Sequence, residues 1–183
     1  MDKTAKTEYG RRFLIEDLPE PLTRASSHLQ LFDNYIENTR IRLRSIRVPE
    51  TKAWTRVLQQ RIDLEAFGEA KLSEMYLNDD EYLEFERFEG REIRLNRYFH
   101  EFDRRVWVFD VYLGKLWGLC TAKAEFDDSE SLAALQPPGF AAFEITDNQF
   151  FDGAILVEKI FSDIQAEAAT GILGPPIAPS SSS

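Results

Sequence analysis

The segment Arg40-Ile41-Arg42-Leu43-Arg44 carries a clear strand pattern, because it alternates strictly between arginine and aliphatic residues. Successive side chains of a β-strand point to opposite faces, so this order puts three guanidinium groups on one face and two aliphatic side chains on the other. A β-sandwich would bury the aliphatic face and leave the arginines in water. A wide β-barrel permits the opposite arrangement, in which the arginines line a wet interior. The spacing predicts a strand without choosing between these two folds.

Outward from this segment, the chain contains further short β-like stretches joined by polar or glycine-containing links, which favours antiparallel pairing. Aromatic residues favour sheets, and the chain carries 14 Phe, 6 Tyr and 3 Trp. The predicted strands are residues 9–15, 29–36, 39–46, 54–62, 70–77, 92–99, 106–113 and 119–126. We therefore predict a mainly β domain of the α+β class.

Three segments predict helices that flank the strands. Asn78, with Glu81 three residues later, resembles a capping box that opens a helix through Phe88. Residues 128–135 predict a second helix, which two prolines follow. Residues 154–169 carry apolar side chains at helical spacing and are followed by Gly171, so they predict a third helix packed against the sheet.

The length of 183 residues suits one domain with a sizeable core. We assign residues 1–170 to this domain. The stretch 171–183 is rich in proline and serine and predicts a disordered tail. The single cysteine, Cys120, excludes an internal disulfide and favours a cytoplasmic location.

The chain is acidic, with 22 Lys and Arg against 32 Asp and Glu, which gives a formal net charge of −10. This charge argues against binding to nucleic acid polymers and to anionic membranes. No apolar run approaches the length of a membrane span. A small polyanionic ligand remains compatible with the sequence, because a local cluster of arginines can oppose the overall charge.

Five segments, in order and at matching spacing between about residues 8 and 156, resemble the CYTH domain of the triphosphate tunnel metalloenzymes. Residues 8–15 (EYGRRFLI) are similar to the opening E-x-E-x-K-F-L strand of that family, and residues 33–44 (DNYIENTRIRLR) to its D-x-Y-L-x-x-T-R-L-R-L-R segment. Residues 96–98 match part of K-T-R-Y, residues 108–119 match D-V-F-x-G-x-L-x-G-L, and residues 144–153 match E-V-T-D-x-x-F-x-x-G.

This resemblance implies a closed eight-stranded antiparallel tunnel, in which basic residues hold a triphosphate, polyphosphate or nucleotide and glutamates hold Mg²⁺ or Mn²⁺. Arginine guanidinium groups form bidentate hydrogen bonds with phosphate oxygens, and carboxylates bind hard divalent cations. Carried over position by position, the resemblance implies the phosphate-binding residues Arg12, Arg40, Arg42, Arg61, Arg97 and Lys123. It implies Glu8, Glu125 and Asp110 as metal ligands, although Asp110 is equally compatible with orienting Arg97.

The acidic half of the family pattern is incomplete. Gly10 stands where the second glutamate of E-x-E-x-K is expected, and Lys123 replaces the first glutamate of a later E-x-E pair. Leu95 occupies the lysine position of K-T-R-Y. With Glu8, Glu125 and Lys123, the metal corner carries about −1 instead of about −4, so we expect Mg²⁺ or Mn²⁺ to bind weakly or not at all. The Lys123 ammonium is a candidate to replace the metal as a fixed cation.

We expect the protein to bind a triphosphate-containing anion inside the barrel, with hydrolysis weak or lost and no catalytic residue assigned. One alternative is an active Mg²⁺- or Mn²⁺-dependent triphosphatase that recruits Glu69, Glu74 or Glu144 as compensating acids. Another alternative, of a different class, is a barrel kept only as a non-catalytic protein-interaction module.

Overall fold

Eight strands close into an antiparallel barrel in the computed structural model, which describes residues 5–88 and 90–178. The strands are β1 (Ala5–Ile15), β2 (Leu29–Ile36), β3 (Ile41–Arg47), β4 (Trp54–Asp63), β5 (Glu69–Leu77), β6 (Gly90–Phe102), β7 (Arg105–Tyr112) and β8 (Cys120–Phe126). Their order around the barrel is β5-β4-β3-β2-β6-β7-β8-β1, and the pairing of β1 with β5 closes it. The mainly β barrel with a few flanking helices is confirmed, and each predicted strand is present.

A ninth, very short strand was not predicted, and most of the predicted strand boundaries differ from the observed ones by one or more residues. β9 (Phe143–Glu144) pairs with β1 along a part of its length where β1 also pairs with β8. Arg40, which we placed in a strand, lies in the turn before β3. In that turn Asn38 has a φ of 58°, and the Thr39 N–H donates to the Ile36 carbonyl at 3.3 Å. The turn therefore leaves Arg40 exposed at the beginning of the arginine-rich segment.

The first two predicted helices are present, and the first has the expected capping box. They are α1 (Asp79–Glu86) and α2 (Ser129–Ala134). Asn78 Oδ1 accepts the Glu81 N–H at 2.9 Å, while a Glu81 carboxylate oxygen accepts the Asn78 N–H at 2.9 Å. Asp128 caps α2 by accepting the Ser131 N–H at 2.7 Å. These side chains satisfy backbone donors that a helix start leaves unpaired.

The single helix predicted for residues 154–169 is wrong, because the structure has α3 (Gly153–Leu156) and α4 (Phe161–Ala169). Ile160 between them has an extended backbone, with φ −121° and ψ 166°. Its N–H donates to Asp163 Oδ2 at 2.9 Å, so Asp163 starts a new helix at this point. Leu156 and Ile164 still reach one hydrophobic core, which explains why their spacing suggested one helix.

Two buried clusters hold the barrel, and β1 contributes to both. Phe13 packs with Trp107 and Phe109 in the first cluster. Leu14 packs with residues of the barrel and of α3 and α4 in the second. Because neighbouring residues of a strand face opposite ways, one face of β1 packs outside the barrel wall and the other faces its interior. The second cluster thus fills part of the interior with apolar side chains.

The described part of the C-terminal stretch contacts the barrel. The Ile177 N–H donates to the Ala142 carbonyl at 2.8 Å, and the Ile177 and Leu173 side chains pack against the two buried clusters. Residues 179–183 lie outside the described residues. The division into a domain of residues 1–170 and a tail of residues 171–183 stays a prediction.

Among the helices of residues 5–88 and 90–178, none combines the length and the apolar character that a membrane crossing requires.

Truncation of Trp107 should destabilise the protein strongly, because this side chain is 2% exposed inside the first cluster. We expect Trp107→Ala to lower the free energy of unfolding by about 3–5 kcal/mol in urea denaturation. Trp117→Ala is the matched control, since Trp117 is 57% exposed, and it should cost about 1 kcal/mol or less. Equal losses for the two variants would contradict the assignment of this core.

Candidate functional site

A cavity of about 540 Å³ lies inside the barrel and is lined mostly by charged side chains. The eight basic residues that line it are Lys6, Arg12, Arg40, Arg42, Arg44, Arg61, Arg97 and Lys123. The seven acidic residues are Glu8, Asp33, Asp63, Glu74, Asp110, Glu125 and Asp152. Each of the nine residues that the sequence analysis named as phosphate or metal ligands therefore lines this one cavity. The formal charge of the lining is slightly positive in a chain of net charge −10.

The alternation in residues 40–44 is resolved in favour of the barrel interior. Arg40, Arg42 and Arg44 line the cavity, whereas Leu43 lies on the opposite face of β3 and is buried. The strand therefore turns Arg42 and Arg44 inward, as a wide barrel permits and a sandwich would not, while Arg40 lines the cavity from the preceding turn.

Asp33 on β2 is the most enclosed charged group of the cavity, with 2% of its surface exposed. Its two carboxylate oxygens accept from Arg44 Nε and Nη2 at 2.6 Å each, and Arg42 Nη1 lies 3.4 Å away. Burial alone would raise the pKa of Asp33, but Arg44 and Arg42, with a further contribution from Arg97, lower it from 3.8 to about 2. Asp33 matched the family segment in sequence, yet nothing in its spacing indicated this central place.

Arg42 is fixed mainly by neutral groups. Gln59 Oε1 accepts from Arg42 Nε at 2.9 Å and from Nη2 at 2.6 Å. The Tyr35 hydroxyl lies 3.1 Å from Nη1. The guanidinium is therefore held in place while its positive charge is only partly balanced, by the more distant Asp33 carboxylate.

Arg97 on β6 and Asp110 on β7 form a bidentate salt bridge. Arg97 Nε and Nη2 donate to the two Asp110 oxygens at 2.8 and 2.7 Å. The residues are directly opposite in the register of the two strands. Of the two roles that the sequence left open for Asp110, this geometry favours orienting Arg97, because both carboxylate oxygens are already engaged.

Arg12 is engaged by the segment that precedes α3. Its Nη1 donates to the Phe151 carbonyl at 3.2 Å, and its Nη2 contacts the Thr146 carbonyl at 3.3 Å and Asp152 Oδ1 at 3.0 Å. Its buried Nε has no hydrogen-bond partner among the described residues. Burial raises the pKa of Asp152, although Arg12 opposes this shift. Asp152 has no local pattern that would identify it in the sequence, since its partner Arg12 lies 140 positions away along the chain.

Tyr35 and Gly153 join this segment to the barrel wall. A Cβ atom on Gly153 would overlap the Tyr35 hydroxyl, so only glycine fits against the ring. Phe151, Asp152, Gly153 and Ala154 all line the cavity. The glycine that ends the last family segment thus has a packing role at the edge of the site.

Lys123, Glu8 and Glu125 form the acidic corner of the cavity. Lys123 Nζ lies 2.8 Å from Glu125 Oε1 and 3.4 Å from Glu8 Oε1. The other Glu8 oxygen lies 3.4 Å from Arg61 Nε, and Arg61 also pairs with Asp63. The corner expected to attract a metal therefore already holds two cationic side chains.

The donor set of this cavity does not fit Mg²⁺ or Mn²⁺. Within the part of the chain that the structure describes, no three or more Asp, Glu, His or Cys side chains are placed to hold a metal ion. Among the compensating acids considered from sequence, Glu74 lines the cavity and accepts from Gln59. Glu144 instead holds Arg11 with both oxygens at 2.7 Å, and neither it nor Glu69 is part of the cavity lining.

Two solved structures share this fold. The crystal structure of the inorganic triphosphatase NE1496 superposes with a TM-score of 0.56 at 19% sequence identity, covering 84% of this chain and 95% of that chain. The crystal structure of the hypothetical protein NE1496 gives a TM-score of 0.56 at 18% identity, covering 84% of this chain and 99% of that one. No family model matches the sequence. No curated protein matches it either.

The Asp33 pair should make stability depend on pH in the acid range. The pKa of Asp33 in the folded protein, about 2, lies below the ordinary aspartate value of 3.8. The ionised Asp33 therefore stabilises the fold above pH 4. About 2 kcal/mol of this stabilisation should be lost as the pH falls from 4 to 2. At pH 7, Asp33→Asn should be less stable by about 3–5 kcal/mol, because Arg44 stays buried without its counter-ion.

Urea denaturation of both proteins between pH 7 and pH 2 measures this effect. The difference in free energy of unfolding between wild type and Asp33→Asn should decrease by about 2 kcal/mol between pH 4 and pH 2. A gap that stays constant over this range would show that Asp33 has an ordinary pKa in the folded protein.

Proposed function

We propose that the barrel interior binds a triphosphate-containing anion, namely inorganic triphosphate, polyphosphate or a nucleotide, and that hydrolysis is weak or lost. One observation carries this proposal: the six basic residues that the family resemblance implies as phosphate ligands line a single cavity inside the barrel. A chain with an excess of acidic residues has no general reason to collect guanidinium groups inside a barrel. A polyanionic ligand supplies that reason.

Arg42 and Arg97 are the central ligands in this proposal. Both lie close enough to Asp33 to contribute to its lowered pKa, so the two guanidinium groups share one region of the cavity. Each is held in a fixed direction, Arg42 by Gln59 and Arg97 by Asp110. Donors that are already oriented lose little side-chain freedom when a phosphate binds them.

Most cationic groups of the cavity already contact carboxylates, so binding is an exchange of partners. Phosphate oxygens would replace part of the contacts that Arg12, Arg61 and Lys123 make with acidic side chains. Arg40 and Lys6 line the cavity but are exposed and form no ion pair with any other described residue. They would meet an incoming anion first and raise its local concentration.

The first alternative is a metal-dependent triphosphatase, and the likeness in fold to the inorganic triphosphatase NE1496 favours it. The contacts of the three candidate metal ligands argue against it, because Asp110 is bonded to Arg97, and Glu8 and Glu125 are bonded to Lys123. The second alternative, a protein-interaction barrel, predicts no affinity for phosphates. A cytoplasmic location belongs to our proposal and is supported by the presence of a single cysteine, which is buried.

Calorimetric titration with sodium tripolyphosphate tests this proposal. Arg42→Ala is the informative variant, because the Arg42 guanidinium is held mainly by Gln59 and Tyr35 and leaves no carboxylate without its main partner. We expect its affinity to fall about 10- to 100-fold, as for loss of a charge-assisted contact. Arg94→Ala is the matched control, since Arg94 lies on β6 with its side chain 61% exposed and does not line the cavity.

Unchanged affinity in Arg42→Ala, or an equal loss in Arg94→Ala, would contradict binding in the interior. No heat with the wild-type protein, in EDTA or in Mn²⁺, would leave the protein-interaction alternative. Release of phosphate that requires Mn²⁺ would support the triphosphatase.

A further inference from the structure

Gly10 and Lys123 form a matched pair on adjacent strands of the barrel. On β1 and β8, Gly10 is opposite Glu125 and Arg12 is opposite Lys123, so Gly10 and Lys123 are diagonal neighbours. A Cβ atom on Gly10 would lie 3.0 Å from Lys123 Cε and 3.4 Å from the Ala124 carbonyl oxygen. The lysine side chain therefore lies across the space that any larger residue at position 10 would occupy.

This packing fixes the ammonium of Lys123 between two carboxylates. Nζ lies 2.8 Å from Glu125 and 3.4 Å from Glu8, and the lysine side chain is 25% exposed. An ammonium has three N–H donors, so two acceptors among the described residues leave one donor for a ligand.

A divalent cation at this corner would share Glu8 and Glu125 with the ammonium, which contacts one oxygen of each. It would also lie next to Lys123 and Arg61, whose positive charges repel it. The oxygens of a polyphosphate can accept from this ammonium directly. The charges of Lys123 and Arg61 cancel those of Glu8 and Glu125, so these four side chains give a divalent cation no net attraction.

Resting on the proposed function, we infer that the ligand is the metal-free polyphosphate anion and that the Lys123 ammonium supplies the cation at this corner. Magnesium in solution then competes with the protein for the anion, because Lys123 and Arg61 repel a metal ion that the anion carries into this corner. Magnesium should lower the apparent affinity if the site binds the metal-free anion. It should raise the affinity if the site binds a metal-phosphate complex.

Titration of the wild-type protein with tripolyphosphate in EDTA and in Mg²⁺ measures how magnesium changes the affinity. A Mg²⁺ concentration of about 5–10 mM complexes most of the anion. We expect affinity in EDTA and an apparent affinity that falls at least about 10-fold in Mg²⁺. Lys123→Met keeps the aliphatic packing on Gly10, and its affinity for tripolyphosphate in EDTA should be about 10-fold lower than that of the wild type. Arg94→Ala should match the wild type in both buffers.

A second measurement uses metal alone and needs no phosphate ligand. Lys123→Glu would place a third carboxylate beside Glu8 and Glu125 and remove the ammonium that repels cations. Titration with Mn²⁺ should show binding to Lys123→Glu and none to wild type or Lys123→Met. Near-ultraviolet circular dichroism checks that each variant keeps its tertiary structure.

The outcomes distinguish this inference from the proposed function. Tripolyphosphate binding that requires Mg²⁺, or Mn²⁺ binding by wild type as tight as by Lys123→Glu, would overturn the metal-free site while leaving anion binding intact. No tripolyphosphate binding by wild type in either buffer would overturn the proposed function itself.

Discussion

Pairing of buried charges is the constraint on which the interior of this barrel depends. An ionised carboxylate or guanidinium that is removed from water without a partner costs several kcal/mol, so the charged side chains that are buried in this barrel need partners of opposite charge or hydrogen bonds. Asp33 is the centre of that network, because Arg44 holds it with two hydrogen bonds and Arg42 and Arg97 lie near it. The strand register of β2, β3 and β6 brings these residues together.

The same network explains why the cavity suits an exchangeable polyanion better than a divalent cation. Its cations are slightly more numerous than its carboxylates, and the nearest partners of Arg42 are neutral. An entering anion can take over contacts that carboxylates now make. A divalent cation would need several carboxylates at once, and Lys123 already occupies the corner between Glu8 and Glu125.

Much of the fold could be predicted from the sequence, because strand alternation and segment order are local properties. The inward direction of Arg40, Arg42 and Arg44 needed the spacing of the other segments, since period two alone fits either face. The break at Ile160 was missed because apolar spacing runs on through it, while the cap that causes it comes from one aspartate. The pairing of Arg12 with Asp152 joins distant parts of the chain, and nothing in local sequence indicates it.

A crystal structure of the protein with tripolyphosphate, grown in EDTA, would show where the anion binds. We expect phosphate density inside the barrel, with oxygens in hydrogen-bond contact with Arg42, Arg97 and Lys123 and with no metal peak between Glu8 and Glu125. Density only on the outer surface of the barrel would contradict it. A metal ion held between Glu8 and Glu125 would also contradict it, because Lys123 would then have to leave that corner.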